Sequence, residues 1–374
     1  MNTRNPLLNK LKYRISSALR PDRISISNET NDLELAEKIS LDPKVGAHLQ
    51  NMQAGLVKDG DSSPYYTKFE RFLRSNDISY DYLDIHSSSW MEDAKKFDLL
   101  IWRPMSTPWE LEEAREKIYF LERHLNKLVY PSYNEVVFYE NKILQYYILK
   151  EMSFPVIETF ISSDYDEVLN WIEKAEYPLV SKIKTGSASM GVLLLKDKNS
   201  ANKYVEKIFR SGNPTYWPFQ RQKNYVFFQK YIKNRGFDLR IVVIDKDNIF
   251  GYFREVPKGD FRASGMETVV KKELPIEAVK MAFDILNKLN FTNLSVDFLQ
   301  SEQDNKFYII EASNFVRVKT DEQLKINGIA GRYRYIAESE SLNFEKGRYW
   351  VQELTLKKFI ENNLISRLSE SFQK

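Results

Sequence analysis

The sequence predicts a small parallel α/β domain followed by a larger α+β domain. Three observations carry this. Between residues 66 and 133, strand-like and helix-like runs alternate, the pattern of parallel strands joined by helical crossovers. From Tyr177 onward, apolar runs of strand length follow one another with a single helical interruption near 276–289, as expected of a sheet with segregated helices. Finally, Asp297 and Glu311 interrupt two of those apolar runs, preceded by Arg240, Arg254 and Arg262.

Composition narrows the class. The 374 residues leave room for two or three domains with a substantial core. A charged fraction of 29% beside 14% aromatics describes a globular protein, not a disordered one. Net charge is only +3, which gives no electrostatic bias toward nucleic acid. The absence of cysteine excludes disulfides, thiolate metal sites and cysteine nucleophiles, and favours a cytoplasmic address. No apolar run approaches the roughly 18 residues of a membrane span. Residues 1–23 lack the apolar centre of a signal peptide. They place Arg4, Lys10, Lys12, Arg14, Arg20 and Arg23 around Leu7, Leu8, Leu11, Ile15 and Leu19. Two readings stay open: a basic amphipathic helix on the inner face of a membrane, or an ordinary solvated terminus.

In chain order, residues 24–65 are polar and read as loops with short helices, so 1–65 forms an N-terminal extension. In the small domain, 66–133, residues 69–76 read as helix and 78–84 alternate as a strand. Residues 97–102 form an apolar run of buried-strand length ending at Arg103, 110–125 a charged amphipathic helix, and 128–131 a short strand. The larger domain, 134–330, opens with a helix over 134–152 and another over 165–175. A strand at 177–184 returns as 192–195, and further strands follow at 225–232, 239–244, 249–255, 294–299 and 307–311. Residues 331–374 read as a C-terminal extension ending in a helix over 351–368.

The loop between the strands at 177–184 and 192–195 contains Lys182, Lys184, Gly186, Ser187, Ser189 and Gly191. Small residues let backbone N–H groups approach phosphate oxygens, and a lysine adds a point charge. Its hairpin setting lacks the helix of a P-loop, and the same composition also suits a plain turn. Asp297 and Glu311 are separated by one apparent hairpin and together suit Mg²⁺ bridging two phosphates. An acid within an apolar run is costly unless paired or metal-bound, which favours this over two solvated acids. Arg240, Arg254 and Arg262 supply groups that grip carboxylate or phosphate at two points. His48, His86 and His124 lie outside this region, and no nucleophilic triad is evident.

From about residue 134 to 313 these motifs resemble an ATP-grasp ligase, nearest the branch that adds glutamate to a ribosomal protein. Asn141-Lys142 is similar to the family's helix-start lysine, Lys182 to its strand lysine, and 186–191 to its flexible glycine loop. Gln229-Lys230-Tyr231-Ile232 resembles the adenine hinge, Asp238-Leu239-Arg240 the ribose-side motif, and 259–264 the segment carrying Arg262. Asp297 and Glu311-Ala312-Ser313 resemble the metal motif. The chain departs from the family at Ser313 and Ser264, which replace asparagines, at Ser189 in the loop, and at Lys230, which replaces a glutamate. Arg103 looks like a substrate-facing arginine of the family's preceding domain. Segments 214–222, 331–335 and 346–350 are similar to ATP-grasp proteins of bacterial surface-polysaccharide synthesis.

The resemblance implies two α+β subdomains gripping ATP, with one or two Mg²⁺ ions. It implies an ADP-forming carboxylate–amine ligase that makes an amide through an acyl phosphate. Lys142, Lys182, Lys184, the loop, the hinge and Asp238 would hold the nucleotide. Asp297, Glu311 and Ser313 would hold metal, and Arg262, Arg240 and Arg254 the reacting groups. Arg103, Ser264 and Asn314 would meet substrate. The expected substrates are an amino acid and a carboxylate, the latter on a surface glycan or its precursor. A peptide or protein amino-acid ligase and a non-catalytic nucleotide-binding regulator are the alternatives. Oligomerisation is left open.

Overall fold

A computed structural model of the chain describes residues 33–49, 52–61, 63–186, 191–215, 217, 219–257, 259–262, 269–270, 272–316, 325–326 and 329–371. The basic segment 1–23 and residues Ser187, Ser189 and Ser264 lie outside them. The chain divides into two compact units, one of Met1–Tyr133 with Arg348–Lys374, the other of Asn134–Gly347.

The first unit contains α1 (Pro43–Leu49), β1 (Gln53–Leu56), α2 (Tyr66–Ser75), β2 (Ser79–Tyr82), α3 (Trp90–Ala94), β3 (Leu99–Ile101), α4 (Pro108–Arg123) and β4 (Leu128–Tyr130). The strands form one parallel sheet in the order β2-β1-β3-β4. Every residue of β3 is buried, as a parallel sheet covered on both faces requires. Helix α4 starts at Thr107, whose side chain accepts the Glu110 N–H, with Pro108 in the first turn. Strand β1 falls where loops were expected. Gln53-Ala54-Gly55-Leu56 holds no β-branched or aromatic residue to signal a strand. Its Gly55 is required by packing, since a Cβ there would meet the Phe97 ring at 2.6 Å.

In the second unit the chain runs through α5 (Tyr133–Phe138), α6 (Lys142–Glu151), β5 (Thr159–Ser162), α7 (Tyr165–Ile172), β6 (Leu179–Ser181), β7 (Leu193–Leu195), α8 (Lys198–Arg210), β8 (Asn213–Pro214), β9 (Arg221–Gln222) and β10 (Val226–Lys230). It continues as β11 (Asn234–Asp245), β12 (Asn248–Glu255), β13 (Val269–Val270), α9 (Ile276–Leu289), β14 (Leu294–Ser301), β15 (Phe307–Ser313), β16 (Lys325–Ile326), β17 (Ile329–Ile336) and β18 (Ser341–Lys346). The helix expected over 134–152 is two helices. Glu140 breaks it with a left-handed φ of 53°, and Asn141 caps α6 by accepting the Leu144 N–H. Helix α8 was not expected; it begins with a capping box in which Asp197 and Ser200 satisfy each other's backbone.

A first sheet runs β5-β10-β6-β7, and α7 and α8 supply Val168, Ile172, Val205 and Ile208 to its core. A second runs β15-β14-β11-β12-β17-β16, with β18 on β17. Strands β17 and β18 therefore belong to this sheet, where a C-terminal extension was expected. Helix α9 buries Ala278, Val279, Ala282, Ile285 and Leu286 on one face, the i, i+3, i+4 stripe of an amphipathic helix. They pack on Leu239, Ile241, Val243, Val296 and Phe298. A large aliphatic side chain buried this fully contributes roughly 1.5–3 kcal/mol.

The chain then returns to the first unit as α10 (Val351–Ser371), whose Glu353 accepts two bonds from Arg71 of α2 at 2.7 and 2.8 Å. Among the described residues, no helix is long and apolar enough to cross a membrane.

Candidate active site

Strand alternation builds the charged face of the second sheet. Leu239, Ile241 and Val243 turn toward α9, so Asp238 and Arg240 project from the opposite face. Pairing then places Arg240 opposite Asp297, Asp238 opposite Arg254, and Asp297 opposite Glu311. Arg240 clasps Asp297 through Nε and a terminal nitrogen, both at 2.7 Å. Arg254 clasps Asp238 at 2.6 and 2.9 Å and also reaches Asp297 at 2.8 Å. Burial alone would raise the Asp297 carboxyl, but Arg240 and Arg254 hold it well below the usual range. Burial pushes Asp238 up to about 6, with Arg254 opposing and Asp297 adding to the rise.

The first sheet and α6 bring the lysines. Lys142, the first residue of α6, pairs with Glu311 at 3.0 Å and also donates to the Gly186 carbonyl. Burial pulls its ammonium down, yet Glu311 and Glu140 outweigh this and leave it above its ordinary value. Lys182, just beyond β6, lies 3.5 Å from the Ile310 carbonyl. Burial pulls Lys182 down to about 8, Glu311 opposing and Lys142 adding.

Between these groups lies a cleft of about 840 Å³, open to solvent. It is lined by Lys142, Lys182, Gly186, Gln229, Lys230, Tyr231, Ile232, Asp238, Arg254, Arg262, Asp297 and Glu311, among others. Twelve residues singled out in the sequence thus share one wall or another of a single cavity. Gln229 is buried and donates to Thr159 at 3.3 Å, while Lys230 is exposed and pairs with Glu176 at 3.0 Å. Arg262 is held by Asp260 through two bonds of 2.9 and 2.8 Å.

Other expected residues stand elsewhere. Arg240 supports Asp297 from beside the cleft. The Lys184 N–H donates to the Tyr225 hydroxyl. Gly191 has a φ of +74° and lies so close to Ile183 that a Cβ would meet it at 2.7 Å. The Ser313 hydroxyl is engaged in its own turn, accepting the Phe315 N–H and donating to the Phe315 carbonyl. Asn314 is buried and donates to the Glu135 carbonyl on α5. Arg103 belongs to the first unit, paired there with Asp61 at 3.2 Å and lying over the Tyr65 ring. Glu140, Tyr225 and Asp260 were missed. Glu140 was hidden inside an apparently continuous helix, Asp260 stood in the 259–264 motif without being given a role, and nothing in the sequence marked Tyr225.

The donor chemistry fits a hard divalent ion. A carboxylate offers about four lone-pair sites, and Asp297 receives three guanidinium bonds, which leaves it about one. Glu311 has one oxygen in its pair with Lys142. Among the described residues no group of three or more His, Asp or Glu gathers. An ion would therefore rest on these two carboxylates and on oxygens of its ligand.

Residues 139–333, just over half of the chain, match the RimK-like ATP-grasp domain. The chain belongs to the RimK-like ATP-grasp family. Glutamate–LysW ligase ArgX of Sulfurisphaera tokodaii is 26% identical over 185 residues, 47% of this chain and 60% of that protein. A probable α-L-glutamate ligase of Shewanella baltica is 30% identical over 148 residues, 38% of this chain and 44% of that protein. The chain thus spans less than two thirds of the length of these relatives. The fold is also that of D-alanine–D-alanine ligase from Bacillus anthracis, with a TM-score of 0.56 at 17% identity, over 85% of this chain and 99% of that one. The RimK-like match begins beside Glu140 and ends within β17, so it spans both sheets and the cleft between them.

Proposed function

We propose that the protein is an ATP-dependent carboxylate–amine ligase, forming an amide by way of an acyl phosphate. The observation that supports this most is the convergence of Lys142, Lys182, Arg254, Arg262, Asp297 and Glu311 on one cleft bordered by the 229–232 segment. A substrate carboxylate oxygen takes the terminal phosphoryl group and ADP leaves. An amine then attacks the acyl carbon, phosphate leaves, and the amine gives up a proton. No enzyme nucleophile is needed; the chain's residues position the reactants and offset charge. Lys142 and Lys182 bind phosphate oxygens, and Arg262 with Arg254, both lining the cleft, offsets charge on the transferring group, while Arg240 holds Asp297 in place. Glu311 and Asp297 would hold Mg²⁺, which would neutralise phosphate charge. Ser313 serves the turn instead, so a single ion is the simpler reading.

The amine is best sought first among acidic amino acids, because the relatives are named as glutamate ligases. For the carboxylate, a uronic acid of a surface glycan remains the reading suggested by segments 214–222, 331–335 and 346–350. Addition to a peptide or protein is the second reading, motivated by the LysW ligase relatives. An ATP-consuming reaction of this kind belongs in the cytoplasm. The test is release of ADP and phosphate from ATP and Mg²⁺ with pools of amino acids, uronic acids and peptides. Glu311→Gln should lower release by at least about 100-fold, as loss of a charge-stabilising group does. Unchanged turnover in that variant would refute the assignment, and no turnover with any pool would leave the non-catalytic regulator.

A further inference from the structure

Both backbone polar groups of Gly186, at the cleft wall, are taken by side chains from one short segment. The Gly186 N–H donates to Glu140 Oε2 at 2.8 Å, and its carbonyl accepts from the Lys142 ammonium. Two residues earlier, the Lys184 carbonyl accepts the backbone N–H of Lys142 at 3.1 Å. That N–H belongs to the first turn of α6 and so has no partner within the helix. The Lys184 N–H is fixed in turn by the Tyr225 hydroxyl. Residues 184–186 are therefore fastened mainly by Glu140 and Lys142.

The local backbone is arranged for this purpose. Glu140 is 7% exposed and adopts a left-handed φ of 53°, a conformation disfavoured for any residue with a Cβ. Such geometry persists where the surroundings fix it. It ends α5, lets Asn141 cap α6, and sets Glu140 on the N–H and Lys142 on the carbonyl of Gly186. Glu140 does not itself line the cleft, whereas Gly186 and Lys142 do. Its influence on a ligand passes through them.

We infer that Glu140 is a positioning residue whose carboxylate fixes the Gly186 amide and so holds the 184–186 backbone at the wall of the nucleotide cleft. The inference rests on the nucleotide reading given above. Two variants separate hydrogen bonding from charge. Glu140→Ala removes the acceptor; Glu140→Gln keeps an oxygen that can accept the Gly186 N–H but carries no charge.

The experiment measures amide exchange of segment 182–186 without ligand, and Mg²⁺-ATP binding by calorimetry, in the full chain. Glu140→Ala should speed exchange at Gly186 and weaken ATP by about tenfold, the scale of one charge-assisted hydrogen bond. Glu140→Gln should stay within about twofold of the parent on both readouts, since its acceptor survives. Unchanged exchange in Glu140→Ala overturns the inference. Equal losses in both variants, or tighter ATP binding in both, also overturn it, because they assign the effect to charge. Should Glu140→Ala fail to fold, Glu140→Asp, too short by one methylene, replaces it. A parent protein that binds no ATP defeats the nucleotide reading, while exchange at Gly186 still decides the role of Glu140.

Discussion

Replacing Asp297 by Asn should destabilise the second unit far more than replacing Asp238 by Asn. Asp297 accepts three bonds from two arginines, while Asp238 accepts two from Arg254 alone. Within the quartet of Asp238, Asp297, Arg240 and Arg254 the charges cancel. Removing the Asp297 charge takes from Arg240 the carboxylate that clasps it and leaves Arg254, only 4% exposed, with Asp238 alone. Breaking a buried pair from one side costs about 3–5 kcal/mol. Removing Asp238 leaves Arg254 its bond to Asp297 and relieves a carboxylate whose own burial disfavours ionisation, so a cost of about 1 kcal/mol is expected.

Urea unfolding without nucleotide is the assay. With a slope of about 3 kcal/mol per molar, Asp297→Asn should lower the midpoint by roughly 1 M or more, and Asp238→Asn by about a third of that. The pH dependence carries the opposite sign for the two groups. Asp297, held low, contributes stability that is present above pH 4 and lost in acid. Asp238 is raised to about 6, so its contribution is present below its unfolded value near 4 and is lost as pH rises through 6. The Asp238→Asn penalty should therefore be smaller at pH 7 than at pH 4.5. Equal penalties for the two variants, or a larger one for Asp238→Asn, would refute the charge accounting.

Two further predictions follow from the same unit. Because Lys182 is drawn down to about 8, ATP affinity should fall as pH rises through 8, while the stability of the free protein should rise between 8 and about 10.4, where only the unfolded chain keeps the proton. Lys182→Met should abolish both trends, and ATP affinity that stays flat from pH 7 to 9.5 in the parent would count against the assignment. Gly331→Ala would place a Cβ 2.4 Å from the Glu345 carbonyl oxygen and the Phe344 ring. It should cost about 1–3 kcal/mol, seen as a lower Tm with ATP binding intact, and an unchanged Tm would show that the β17–β18 pair yields freely.

The fold was legible where one kind of local signal dominated. The alternation before residue 133 and the apolar runs after Tyr177 marked the parallel and antiparallel sheets. Asp297 and Glu311 stood out because acids within apolar runs need a reason to be there. Arg240 and Arg254 were picked out as well, but their pairing was not, since which arginine faces which acid depends on strand register, and register is set by pairing between distant segments. Strand β1 was silent because its residues have little strand propensity. The break at Glu140 was silent because a left-handed residue other than glycine or asparagine leaves no trace in the sequence. The serine at 313 was read as a metal ligand by its position in a motif, whereas its hydroxyl serves the turn to Phe315.

The path of the chain through its two units also sets an order of assembly. Everything from Asn134 to Gly347 is inserted between the two pieces of the first unit, so the second unit is complete while the first still lacks α10. Until that helix emerges from the ribosome, Arg71 on α2 has no Glu353 to receive it, and a surface destined for burial stays open to water. The inserted unit is thus free to fold first during synthesis, and α10 follows it to complete the first unit.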